Sequence, residues 1–166
     1  MASVPDRYAL LRRTVWRPLR ETDLAYVAAL EAQIHAAPWS YGNFRDALAA
    51  GYGAQVGEWE GRIVAFGVML LAPGEAQLLN LSVVGDARRQ GLGRALLDRF
   101  VDDAQSAGAE QMFLEVRVSN APAIALYRSA GFAPVARRHH YYPATARSKT
   151  EDALVMRRKL GSPSIA

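Results

Sequence analysis

The stretch Arg88-Arg89-Gln90-Gly91-Leu92-Gly93-Arg94 sets three guanidinium groups beside two residues without side chains, ahead of an amphipathic run. Where a strand runs through a glycine-containing turn into a helix, the first helical turn exposes backbone N–H groups, and its dipole favours negative charge. Gly91 and Gly93 would let a ligand approach the backbone, and Arg88, Arg89 and Arg94 would add charge, which together suit a pyrophosphate. A Walker loop needs G-x-x-x-x-G-K-[ST], which is absent, and the third glycine of a dinucleotide fingerprint is replaced by Leu96. A basic helix start with glycines for the turn explains the same letters equally well.

A second candidate is Glu115 in "FLEVRV". On an alternating strand Met112, Leu114, Val116 and Val118 share one face, and Phe113, Glu115 and Arg117 share the other. A carboxylate among apolar neighbours is expected to gain basicity and to serve as a general base; an ion pair with Arg117 or a solvated strand face is the competing reading. Deprotonating an α-amine of pKa near 8 at pH 7 costs only ~1.4 kcal/mol, whereas a lysine near 10.4 costs ~4.6 kcal/mol. A carboxylate, direct or through one water, is therefore adequate for an N-terminus and strained by lysine. His35, His139 and His140 show no metal-ligand spacing, so no metal is expected, and surface or acceptor-groove positions suit them.

The elements that position these residues follow at short spacing. "TVWRPL" predicts a strand and "RETDLAYVAALEAQ" a helix capped by Thr22 or Asp23, with Leu24, Val27, Ala28 and Leu30 as its apolar stripe. Ser40 caps a second helix that Gly51 stops. "AQVGEWE" and "RIVAFGVMLL" flank the hairpin turn Glu60-Gly61, and "AQLLNLSVV" follows the turn at 73–75. A helix runs from about Gly91 to Ala107, stopped by Gly108, and "QMFLEVRV" is a strand. Asn120 caps "APAIALYRSA", which Gly131 ends, and "FAPVARRHHYY" and "EDALVMRRKL" close the domain as a strand pair across a loop at 143–150. The order βααβββαβαββ gives an α+β (mixed α/β) fold around one central sheet.

The stretch "LNLSVVGDARRQGLGRALL" resembles motif A of the GNAT superfamily of acyl-CoA-dependent N-acetyltransferases, with Arg88, Gly91 and Gly93 in the R/Q-x-x-G-x-G/A pattern. "LEVRVSNAPAIALYRSAGF" resembles its motif B, with Asn120, Ala123, Leu126, Tyr127, Gly131 and Phe132 in N-x-x-A-x-x-L-Y-x-x-x-G-F. The resemblance covers nearly the whole chain and implies a mostly antiparallel sheet with splayed strands flanked by helices. "APWS", "LEVRVSNAPAIALY" and "RRHHYYP" followed by "EDALVM" resemble the bacterial RimI type, which acetylates the N-terminal alanine of a small-subunit ribosomal protein. The longer N-terminus and the 143–150 loop, with Arg147 and Lys149, depart from it and leave the acceptor choice open.

The resemblance implies roles. Acetyl-CoA is the cosubstrate, its pyrophosphate on Arg88, Arg89, Gln90, Gly91, Leu92, Gly93 and Arg94, and its pantetheine on the main chain of Leu81, Ser82 and Val83, with an oxyanion donor near Val83. Glu115 becomes the base and Tyr127 the acid to the leaving sulfur, although core packing with the hydroxyl at the rim is the ordinary fate of such a tyrosine. Asn120 both caps its helix and touches the CoA arm. Trp39, Tyr141 and Tyr142 line the acceptor groove or else pack as ordinary aromatics.

Composition bounds the rest. The 166 residues, 51% hydrophobic and 22% charged, fit one domain with a substantial core. The expected division is a mobile basic lead-in at 1–13, a domain at 14–160 and a frayed end at 161–166. No apolar run reaches membrane-span length and the first residues do not read as a signal peptide. Cysteine is absent, which removes disulfides and thiolate chemistry and suits the cytoplasm. A net charge of +4 on scattered basic residues does not argue direct nucleic-acid binding. The expected partners are acetyl-CoA and a ribosomal-protein N-terminus, and the expected state is a monomer.

Overall fold

The computed structural model describes residues 8–161. The chain order is α1 (Ala9–Arg13), β1 (Val15–Pro18), α2 (Leu24–Ile34), α3 (Tyr41–Ala49), β2 (Gly53–Trp59), β3 (Arg62–Ala72), β4 (Glu75–Val83), α4 (Leu92–Ser106), β5 (Gln111–Arg117), α5 (Ala121–Ser129), β6 (Ala133–Tyr142) and β7 (Glu151–Lys159). Short 3₁₀ turns at Glu21–Asp23 and Gly85–Ala87 precede α2 and α4. Helix α1 lies inside the stretch expected to be a lead-in. The rest of that lead-in, 1–7, and the terminal stretch from 162 onward fall outside the described residues.

One sheet of seven strands, ordered β1-β2-β3-β4-β5-β7-β6, carries the fold. All neighbouring pairs are antiparallel except β4 and β5. Strand β3 sits between two cores, so Ile63 to Met69 are buried without alternation, as a strand covered on both faces requires. One core gathers Leu92, Leu96, Leu97 and Phe100 of α4 with Met112, Leu114 and Val116 of β5. The other packs Leu24, Val27 and Leu30 of α2 and Phe44 of α3 against Val56, Phe66 and Val68. Each such side chain, fully buried, contributes about 1.5–3 kcal/mol.

Local signals fix most element ends. Ser40 Oγ accepts the Asn43 N–H at 3.1 Å, and Asn120 Oδ1 accepts the Ala123 N–H at 3.3 Å. Glu60 and Gly61 both have positive φ, 48° and 76°, as a two-residue hairpin turn demands. The cap of α2 differs from expectation: neither Thr22 nor Asp23 supplies a side-chain cap bond. The Asp23 carboxylate instead accepts Arg17 Nη1 and Nη2 at 2.7 and 2.9 Å and the Arg20 N–H at 2.8 Å. A two-toothed guanidinium contact outcompetes a neutral N–H.

That clamp joins β1 to the start of α2, and Asp23→Asn is expected to cost about 1–3 kcal/mol in denaturant unfolding. The Arg17 hydrogen bond, above all, holds the Asp23 carboxyl below its ordinary value of 3.8. Its stabilisation is therefore complete above that value and is lost as the pH falls through the lower, folded one. Wild type and variant should converge in stability on acidification; an unchanged gap contradicts the clamp.

Candidate active site

Strands β4 and β5 pair only from Glu75↔Gln111 to Leu78↔Leu114. The cause is visible on the other edge of β4. Leu78 faces Met69 and Asn80 faces Val68, so Leu79 is an extra residue, and the bulge bends β4 away from β5. The parted strands leave a cleft of about 320 Å³ that reaches Glu31, His35 and Trp39 on one side and Asn120, Tyr127 and Tyr142 on the other.

The phase of the ladder decides which backbone groups face the gap. Val84 N–H donates to Val64 O at 3.0 Å, so the alternate positions Ser82 and Asn80 spend their backbone groups on Phe66 and Val68. Leu81 and Val83 turn theirs toward β5, and Val83 O accepts Arg88 Nε at 3.3 Å. Ser82, expected to bind through its main chain, is thus a ladder residue. Its side chain is buried and bonded to Glu31 and Asn80.

At the start of α4, Gly91 adopts φ 85°, ψ 4°, and Arg89 has φ 61°. This left-handed turn hands the chain to the helix, and Ala95 N–H is the first to bond back, to Gly91 O at 3.0 Å. The N–H groups of Leu92, Gly93 and Arg94 have no helical partner. The glycines act differently from expectation. A Cβ on Gly91 would meet Leu11 Cδ2 at 3.2 Å, and one on Gly93 would meet Leu126 at 3.4 Å and Val83 at 3.6 Å. Both absent side chains face protein, so backbone conformation at Gly91 and close packing at Gly93 explain them. Arg88 and Arg89 are exposed, and Gln90 Nε2 reaches Asp86 O at 3.5 Å. Arg94 turns away: its Nε donates to Asp98 Oδ1 at 2.9 Å and its Nη1 to Ser129 O at 3.2 Å. It ties α4 to the end of α5 rather than adding free charge.

Glu115 and Tyr127 line the same cleft. Glu115 has apolar neighbours in Leu70, Phe113 and Val155, but it also has a cation. Arg138 Nε lies 3.1 Å from its Oε1, and Tyr141 contacts it, which raises the Tyr141 hydroxyl. Arg117 does not pair with Glu115. It lies 3.4 Å from Glu151 and stacks 4.2 Å over the Tyr142 ring. Tyr142 packs edge-on against Tyr141 at 5.1 Å, and burial foremost, with nearby Glu115, pushes it up to about 12. Tyr127 packs edge-on against Phe132 at 6.0 Å, and its hydroxyl has no hydrogen-bond partner among the described residues. Burial, then Tyr142, raises it well above the ordinary tyrosine value, so it stays protonated. Trp39 leans on Phe44 at 5.2 Å with its other side in the cleft.

His35 lines the cleft, in keeping with an acceptor-groove position, whereas Glu31, Asn80 and Asp152 carried no expectation. Glu31, Asn80 and His35 form a polar cluster under the cleft. The available signal was Glu31 itself, a charge on the buried stripe Leu24–Val27–Glu31. Asp152 accepts His140 N–H at 2.8 Å and Arg137 Nε at 2.7 Å, closing the irregular stretch of β6 that carries Tyr142 into the cleft and leaves Tyr141 exposed beside Glu115. That backbone bond, then Arg137, lowers its pKa to about 2. His139 also meets Asp152, at 3.2 Å. No group of three or more potential metal ligands occurs among the described residues. The loop at 143–150 closes on itself through Thr145 and Ser148, leaving Arg147 and Lys149 exposed.

Residues 15–132 match the model of the acetyltransferase (GNAT) family. The chain is 41% identical over 138 residues to the [ribosomal protein bS18]-alanine N-acetyltransferase of Escherichia coli K12, covering 83% of this chain and 92% of that one. The crystal structure of the ribosomal-protein-S18-alanine N-acetyltransferase from Escherichia coli superposes with a TM-score of 0.82 at 36% identity, over 92% of this chain and 98% of that one. The yncA structure from Salmonella typhimurium, solved with its cofactor acetyl-CoA, shares the fold at 20% identity and a TM-score of 0.74, over 92% of this chain and 96% of that one.

Proposed function

The chain belongs to the acetyltransferase (GNAT) family, and we propose that it transfers the acetyl group of acetyl-CoA to the N-terminal alanine of ribosomal protein bS18. It is an acyltransferase enzyme. The observation that carries the reading is the cleft itself: Glu115, Tyr127 and the open edge of β4 converge on one space large enough for an amine and a thioester. The name of the Escherichia coli relative supplies the acceptor.

The residues fit acetyl-CoA. Leu81 and the Val83 N–H offer open strand edge to a pantetheine arm, which would lie there as a false strand, while Val83 O is held by Arg88. The unbonded N–H groups of Leu92, Gly93 and Arg94, with Arg88, Arg89 and Gln90 alongside, suit the pyrophosphate. Asn120, already the cap of α5, borders the same arm. In this reading Glu115 takes the proton of the α-ammonium, directly or through one water. The Val83 N–H faces the charge that builds on the carbonyl oxygen. Tyr127 gives its proton to the departing sulfur. Trp39, Tyr141 and Tyr142 wall the acceptor. No step uses a metal. The catalytic unit spans 14–160 and works as a monomer in the cytoplasm, without direct contact with nucleic acid or membrane. No helix among the described residues is long and apolar enough to cross a bilayer.

Initial rates with a panel of acceptors test this. An alanine-first peptide should exceed polyamines by at least about 100-fold, since a lysine-type amine costs ~3 kcal/mol more to deprotonate at pH 7. A polyamine as the better substrate overturns the acceptor assignment.

A further inference from the structure

Glu31 is buried to 2% exposure, and the chemistry above makes no use of it. Its carboxylate gathers three donors, two from β4 and one from the segment between α2 and α3. Asn80 Nδ2 and the Trp39 backbone N–H reach Oε1 at 3.1 and 3.3 Å, and Ser82 Oγ reaches Oε2 at 3.3 Å. His35 Nε2 stands 2.9 Å from Ser82 Oγ and 3.8 Å from Glu31 Oε2. A hydroxyl has one proton. If Ser82 gives it to Glu31, the His35 N–H gives its own to Ser82, and the bonds form a directed chain from the cleft to the buried acid. Among the described residues the acid has no arginine or lysine partner. A buried carboxylate of this kind is retained only where fixed donors replace water.

The elements it joins are the ones that shape the cleft. Asn80 and Ser82 flank Leu81, the residue whose backbone faces the gap. Trp39 begins the wall on the α2 side. The geometry points to Glu31 as a positioning residue, whose buried carboxylate holds Trp39 and the opened segment of β4 at a fixed separation and so sets the width of the acceptor cleft. The inference rests on the acyl-transfer reading for what the cleft accepts, but not for the tie itself.

Glu31→Met keeps a side chain of similar length but removes both accepting oxygens, so Asn80 Nδ2 and the Trp39 N–H lose their acceptor. The acceptor-peptide KM should rise about 10- to 100-fold, the range for unmade buried bonds to a charged group, while the Kd for acetyl-CoA moves less than about threefold. Ser82→Ala removes another member of the same chain. Within a shared network the double variant should be no worse than about threefold below Glu31→Met alone. Hydrogen exchange gives a readout that needs no acceptor: the Trp39 amide should exchange at least about tenfold faster in Glu31→Met, with the interior amides of α3 still protected. If wild type acetylates no peptide, the acyl-acceptor reading fails while the exchange result still decides the tie. Unchanged Trp39 exchange overturns the proposal. So does a lower Tm with acceptor KM within about twofold of wild type, which is the mark of packing alone.

Discussion

Tyr127→Phe should lower kcat by about 10²–10⁴, the span of general acid catalysis, which equals about 2.7–5.5 kcal/mol of barrier. The ring is kept, so its edge-on contact with Phe132 and its place in the core survive. Only the hydroxyl goes, and no described residue bonds it. Calorimetry should therefore show the acetyl-CoA affinity nearly unchanged. The pH dependence separates this role from others. Burial raises the Tyr127 pKa above its ordinary 10, so the proton is present throughout the working range. The ratio of wild-type to variant rates should be flat from pH 6 to about 10, where an ordinary tyrosine would begin to lose its proton. Near-normal turnover would return Tyr127 to packing.

The second large effect belongs to Glu115→Gln, which keeps the shape and removes the basic lone pair. At pH 7 kcat/KM should fall by about 10²–10³. The defect should shrink as the pH rises above ~8, where the α-amine is already free and needs no base. Arg138 Nε stands 3.1 Å from the Glu115 carboxylate, so the variant also weakens that contact, an effect that does not fade with pH. Rates of both proteins across pH 6 to 9.5 provide the check. A small loss that is the same at every pH would remove Glu115 from the proton path and leave the base to water. The two profiles differ in form: one flat, the other closing with pH.

Much of this arrangement was legible because it is local. The Ser40 and Asn120 caps and the turns at Glu60-Gly61 and Gly91 each depend on a few adjacent residues whose side chains or φ values admit few alternatives. The two faces of β5 follow from period-two alternation, and the burial of Met112, Leu114 and Val116 agrees. What escaped depends on side chains that leave their own element. Arg94 has a long, flexible arm and finds the end of α5, 35 residues away in sequence. Asp23 has the type and position of a cap among its sequence neighbours, while its strongest partner sits on β1. Arg117 was weighed as the mate of Glu115, but it reaches Glu151 across the sheet. Arg138, two strands from β5, takes its place. The phase of β4, which removes Ser82 from the open edge, is fixed by pairing with β3. The bulge at Leu79 carries no glycine or proline to announce it.

The most direct test of the central claim locates the acetyl group on one peptide that offers both amines. A peptide beginning with alanine and carrying an internal lysine is incubated with the enzyme and acetyl-CoA at pH 7, and fragment masses place the modification. An Nα-blocked copy runs beside it. The predicted result is one acetyl group on the alanine α-amine and no reaction of the blocked copy, because a lysine costs ~3 kcal/mol more to deprotonate there. Acetylation of the lysine, or faster reaction of the blocked copy, would contradict an N-terminal acetyltransferase.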